Sequence, residues 1–366
     1  TYKKFGIDEE FTKRNSPILY IFFSLFLKIG FHPESLRIIN FLVLVPIIIY
    51  FIKCLEIKYP NIDSETKIFF FSALLLSPTI RTLIIWPYPV LWALCFFLIS
   101  IYYYLIFNKT NDLNKKIIYA YLNIFFLSLS AYFTPKFAVF SIYFFYNFFL
   151  FYKYKREILK IIILNLIFAI PAIYFLISKD FYLFINEPFD VNLSTKYNFS
   201  NKIIIISSMI FLFFLPFISK KDFFSNRDFF KINYKFLITL LFIFINIYFF
   251  DFLTRSGGGG GIFFQLSHKL FGNSIFLFII FILSIGLFGH LGLFNINNIL
   301  LFFILLIYNL EFTLYYKYFE PLLLFLLLFM TNYKKKFINI NKISKKVFLF
   351  YILFLILNFS KSYINF

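Results

Sequence analysis

Long runs of Phe, Leu, Ile and Tyr alternate with short lysine-rich stretches along almost the whole chain, and this alternation constrains the fold more than any motif. A spanning helix needs about 20 mostly apolar residues and tolerates about 17. Candidate runs, several of them short as written, cover Ile38 to Ile52 with its flanks, Ile68 to Ser77, Val90 to Phe107, Ile117 to Phe133, Phe137 to Tyr152, Leu159 to Ser178 and Ile203 to Ile218. They continue through Phe236 to Leu253, Ser274 to Phe288, Asn298 to Leu310, Phe319 to Met330 and Val347 to Leu357. The pattern predicts an all-α, polytopic transmembrane helical bundle of about twelve spans over residues 38–366. Residues 1–37 form an outer loop in this reading. The segment Pro17 to Ile29 has only thirteen residues before Gly30, too few to cross, and is expected to form an interfacial or re-entrant helix.

Composition excludes the soluble alternatives. With 61% hydrophobic residues, 25% aromatic and 14% charged, the chain has too little polar surface to cover a water-soluble globule. A net charge of +19 in another chain would point to nucleic acid, but here the basic residues sit in short inter-helix loops, which are topology signals. No nucleic-acid partner is expected. Cys54 and Cys95 lie in different segments and offer neither a metal spacing nor a disulfide framework, so no redox cofactor is expected. The wealth of Phe, Ile, Lys and Asn reads as the output of an AT-rich genome and points to a bacterium. The chain opens at Thr1 and reads as lacking an N-terminal piece.

Orientation follows from the loops. Residues 53–67, 108–116, 153–160, 219–235 and 331–346 carry 3, 3, 4, 5 and 6 basic residues, and the proposed spans put all five stretches on one side, assigned as cytoplasmic. The other face receives residues 1–37, the turn from Ser77 to Pro89, Thr134-Pro135-Lys136, the loop 179–202, residues 251–273 and the turn from Glu311 to Glu320. Ten of the seventeen carboxylates fall there.

The candidate site residues come from that face. Asp8-Glu9-Glu10 is either a general base, a divalent-metal holder or a solvated charge run. Arg81 and Lys136 are isolated cations at span ends, and each is either an interfacial anchor or a partner for a lipid-linked phosphate. Arg255-Ser256 precedes Gly257 to Gly261, a run with five of the eleven glycines, which lets backbone N–H groups approach an anion or makes a flexible lid. The run lacks the Lys-Ser/Thr ending of a P-loop, so no nucleotide is expected. His268 follows, as a structural residue or a proton carrier. In Glu311 to Glu320, the charges of Glu311, Lys317 and Glu320 either pair with one another or face an aqueous cavity, and Tyr315, Tyr316 and Tyr318 surround them.

These residues resemble the integral-membrane glycosyltransferases of the GT-C superfamily. The opening tract Asp8-Glu9-Glu10-Phe11-Thr12 through Pro17-Ile18-Leu19-Tyr20, then Lys28-Ile29-Gly30, then Leu36-Arg37-Ile38-Ile39-Asn40, looks like their first outer loop. Within the superfamily the chain is most similar to the dolichyl-phosphate-glucose α-1,2-glucosyltransferase family, in Thr12 to Tyr20 and in Tyr316-Lys317-Tyr318-Phe319 before Pro321. Lys317 stands where that family has Arg, and the glycine run has no counterpart in it. The acidic pair that the superfamily carries after its first span is expected, under this resemblance, upstream of Thr1. The resemblance implies a GT-C-like bundle with interfacial helices in its first outer loop and inverting transfer of a sugar from a polyprenyl-phosphate donor to a lipid-linked or cell-surface glycan acceptor. Asp8 or Glu9 would be catalytic, and Arg81, Lys136, Arg255, His268, Glu311, Tyr316 and Lys317 would bind substrate and phosphate. A divalent metal is possible under this reading. Membrane lipid is a partner, and the implied setting is a bacterial inner membrane with the site facing the periplasm. A transporter or flippase, or a glycan polymerase handling lipid-linked sugars, is the alternative that uses the same spans.

Overall fold

The computed structural model describes residues 17–32, 34–153, 156–178, 198–218, 234–252, 259–290, 294–309, 314–333 and 340–363. Every regular element among them is helical. The chain divides into two compact units, Thr1–Asp190 with Leu357–Phe366, and Val191–Ile356.

The first unit holds α1 (Ile18–Lys28), α2 (Ser35–Leu42), α3 (Leu44–Lys58), α4 (Ser64–Leu76), α5 (Pro78–Ile85), α6 (Pro89–Lys109), α7 (Leu113–Phe133), α8 (Phe140–Tyr152) and α9 (Arg156–Ser178). The second holds α10 (Phe199–Phe214), α11 (Tyr234–Tyr248), α12 (Gly261–Phe271), α13 (Ile275–His290), α14 (Ile296–Tyr308) and α15 (Glu320–Phe325). It also takes the first part of α16 (Ile340–Tyr363). A helix thus occupies each of the twelve apolar runs.

Among the described residues, five helical stretches are by themselves long and apolar enough to cross a membrane: Ser35–Lys58, Pro89–Lys109, Leu113–Phe133, Arg156–Tyr174 and Phe199–Phe217. A sixth results if α4 and α5, bent by 62° at their junction, count as one broken span. Local breaks shorten two of the other apolar runs. Thr134 and Pro135 put a 3-10 turn, Pro135–Val139, ahead of the thirteen-residue α8. The run after α15 relaxes into a π-helical turn, Leu326–Met330, whose carbonyls are served by the Thr331 hydroxyl and the Tyr333 phenol. The apolar helix α1 has eleven residues and so about 16 Å of length, against about 30 Å of hydrocarbon.

Two helices occupy stretches expected to connect spans. In 77–89, Ser77 caps α5 by accepting from the Ile80 N–H at 3.1 Å, and Pro78 takes the first helical position, where its missing donor costs nothing. In 251–273, α12 starts where Gly260 adopts φ 77°. A Cβ there would meet Phe264 Cδ1 at 2.5 Å, so only glycine lets the chain turn so tightly onto this helix.

Within the first unit α6 and α7 form the most extensive helix pair, tied by buried polar bonds as well as by rings. Asn123 Nδ2 donates to Ser100 O and Oγ, both at 2.8 Å, and Ser130 Oγ donates to Ala93 O at 2.7 Å. Such bonds between apolar helices satisfy groups that hydrocarbon cannot. The lysine-rich stretches come together at one end of this unit. Lys67 pairs with Glu56 at 2.7 Å, and the Lys116 ammonium sits 3.8 Å from the centroid of Phe151.

Candidate functional site

At the other end of the first unit, Arg37 and Asn40 lie one turn apart on α2 and both reach the end of α5. Asn40 is fully buried. Its Nδ2 donates to Leu83 O and Ile84 O, each at 2.8 Å, and its Oδ1 accepts from Trp92 Nε1 at 3.1 Å. The amide therefore closes the carbonyl end of α5 and fixes α6 beside it. The Arg37 guanidinium carbon lies 5.5 Å from the Trp86 ring centroid. Spacing within Leu36-Arg37-Ile38-Ile39-Asn40 is explained by this contact, because residues three apart share a helix face. Arg81 projects from α5, exposed. Lys136 is half-buried in the 3-10 turn after α7, whose last residue Phe133 stacks on Trp92 at 5.6 Å. The two predicted cations thus belong to the same end of the unit.

The second unit gathers its polar groups at the N-terminal end of α10. Asn198 caps that helix, accepting from Ser200 N at 2.9 Å and Asn201 N at 3.3 Å. Its Nδ2 donates to Phe249 O at 2.7 Å and to Asp251 Oδ1 at 3.2 Å. Asn201 Nδ2 donates to the same carboxylate at 3.0 Å, and Asn201 Oδ1 accepts from the Asp251 N–H at 3.0 Å. A carboxylate is thereby held at the positive end of a helix, where the macrodipole favours it.

Lys202 is the opposite case, a cation in the first turn of α10 with only 5% of its surface exposed. Its ammonium donates at 2.9 Å to the carbonyl of Asn309, the fully buried residue that ends α14. The negative end of α14 supplies the field that the start of α10 withholds. Nearby in the chain, Gly260 N–H donates to Leu314 O at 3.0 Å, which joins the glycine run to the segment after α14. Gln265 Nε2 donates to Gly259 O at 3.3 Å. Three stretches expected on the face away from the basic loops are therefore joined, residues 198 and 201 to 251, 202 to 309, and 260 to 314.

Lys317 and Glu320 lie in different environments. The Lys317 side chain is exposed, with its ammonium 5.2 Å from the Tyr315 centroid and 5.6 Å from that of Tyr318. Glu320 is fully buried at the start of α15. Tyr316 stacks on Phe213 at 5.4 Å with its hydroxyl enclosed, and burial first, the Glu320 carboxylate next, push its phenol well above the usual range. His268 is exposed in the last turn of α12. Its Nε2 is 3.2 Å from Ser274 Oγ and its ring 4.3 Å from Phe264, contacts that stitch a helix end to the next turn.

Asp8, Glu9, Arg255 and Glu311 lie outside the described residues. Among the described residues no group of three His, Cys, Asp or Glu side chains is placed to hold a metal. Sequence reasoning missed Lys202, Asn201, Asp251 and Asn309. Their signal was a lysine set against the dipole in the first turn of an apolar helix, directly behind an Asn-x-x-Asn cap. Comparisons with protein-family models, curated proteins and solved structures found no match to this chain.

Proposed function

We propose that the chain is a membrane glycosyltransferase of the GT-C kind, moving a sugar from a polyprenyl-phosphate donor to a lipid-linked or cell-surface glycan acceptor on the non-cytoplasmic face. The observation that carries this reading is the opening tract through Leu36-Arg37-Ile38-Ile39-Asn40, whose likeness to the first outer loop of that superfamily is joined by a use for its polar residues. Arg37 and Asn40 hold α5, the short helix that presents Arg81. The bonds of 201 to 251, 202 to 309 and 260 to 314, next to the segment bearing Lys317, support it further.

In this reaction a carboxylate of the first outer loop, Asp8 or Glu9, takes the proton of the acceptor hydroxyl. The acceptor oxygen attacks the anomeric carbon from the face opposite the phosphate. The new C–O bond forms as the bond to the phosphate oxygen breaks, so the configuration inverts. Charge building on the departing lipid phosphate is met by a cation, Arg81, Lys136, Arg255 or Lys317. Apolar helix faces accommodate the polyprenyl tail.

The test is transfer of radiolabelled sugar from polyprenyl-phosphate donors in membranes holding the full chain, with Asp8→Asn, Glu9→Gln and Lys317→Ala at matched expression. Loss of a general base lowers transfer by about a hundred- to ten-thousand-fold. Unchanged transfer in all three variants removes these residues from the site. Absence of transfer with every donor, alongside movement of lipid-linked sugar across the bilayer, replaces the enzyme with a flippase.

A further inference from the structure

The end of the first unit that carries the lysine-rich stretches holds a set of phenols for which the proposed reaction has no use. Tyr50 on α3, Tyr102 and Tyr103 on α6 and Tyr119 on α7 are all half-buried and converge on one side of the three helices. Ring centroids are 5.1 Å apart for Tyr50 and Tyr102, 5.2 Å for Tyr102 and Tyr103, and 6.4 Å for Tyr103 and Tyr119. Lys53, one turn beyond Tyr50, places its ammonium 5.2 Å from the Tyr50 centroid and 5.7 Å from that of Tyr102. Glu56, its neighbour on the same helix face, is engaged by Lys67 at 2.7 Å. Among the described residues no carboxylate pairs with Lys53.

We propose that this cluster seats the headgroup of an anionic phospholipid. A phosphodiester needs a cation and O–H donors, and Lys53 with the four phenols supplies both. An aromatic belt alone would place single rings around the perimeter of the helices. Here rings from three helices form one run, and the cation lies over two of them, Tyr50 and Tyr102. A lipid fits better than free phosphate because an apolar strip leads away from the phenols. Tyr103 stacks on Phe126 at 5.5 Å, Phe126 on Phe96 at 6.3 Å, and Phe96 on Phe133 at 5.6 Å. Phe126 and Phe96 are half-buried, so an acyl chain can lie along them while its headgroup stays with Lys53. Surrounding charge agrees, since the exposed Lys109 ends α6 and the exposed Lys115 lies in the first turn of α7, and both attract the same lipids.

The site is at the opposite end of this unit from Arg81, and its test has no need of sugar transfer. The full chain in detergent is titrated with dioleoylphosphatidylglycerol or dioleoylphosphatidylcholine, and bound lipid is read by native mass spectrometry. The anionic lipid is expected to bind about ten-fold more tightly. Lys53→Gln, and Tyr102→Phe with Tyr103→Phe, which keeps both rings, should bring the two lipids close to parity. Lys345→Gln, in a basic stretch of the other unit, should leave the preference intact. Equal binding of both lipids by the unaltered chain overturns the proposal, as does a Lys345→Gln loss as large as that of Lys53→Gln.

Discussion

Lys202 shows how a charge is accommodated where the chain has little water to offer. Its ammonium faces away from the positive end of its own helix and toward the negative end of another. Lys202→Met keeps the length and apolar volume of the side chain and removes the charge. Losing this charge-assisted bond is expected to lower stability by about 1–3 kcal/mol, read as a fall in melting temperature in detergent. A melting temperature at or above the unaltered value would mean that dehydrating the ammonium costs more than its bond returns. The network around Asp251 works in the other sense, because there a carboxylate and two amides satisfy one another and cap α10.

Helix α5 depends on its neighbours more than on its own eight residues, since a helix so short is unstable alone. Asn40→Leu removes two bonds to its last carbonyls and one to Trp92, at a cost of about 2–3 kcal/mol. The expected outcome is cleavage by trypsin at Arg81 several-fold faster than in the unaltered chain, while the fragment pattern elsewhere is preserved. Equal rates would show that α5 is held by something other than Asn40. Most helices were legible in the sequence because an apolar run facing lipid has no other way to satisfy its backbone. Helices α5 and α12 were not, because their starts rest on a serine-proline junction and on a glycine at positive φ, local devices that an apolar count ignores. The site was legible only in part. Arg81, Lys136 and Lys317 stand out as isolated cations between apolar runs, whereas Asn201 and Asp251, and Lys202 and Asn309, meet across 50 and 107 residues of chain that no local pattern links.

At the scale of the molecule, the five to six helices among the described residues that are long and apolar enough to span fit an integral membrane protein. The loop charges predict its sidedness, and both native cysteines are buried, which leaves a quiet background for labelling. With a membrane-impermeant maleimide, His32→Cys and Lys269→Cys should react from one side, and Lys115→Cys and Lys345→Cys from the other. Any other partition sinks the assignment of the basic stretches to one face. The bond between Lys202 and Asn309 also sets a timetable. Its two residues are 107 apart, and a ribosome adds about 5–20 residues each second, so the lysine emerges about 5–20 s before its acceptor exists. During that interval the nascent chain must keep the charged end of α10 near water or in the keeping of the insertion machinery, and the second unit can close its polar end only after α14 has been made.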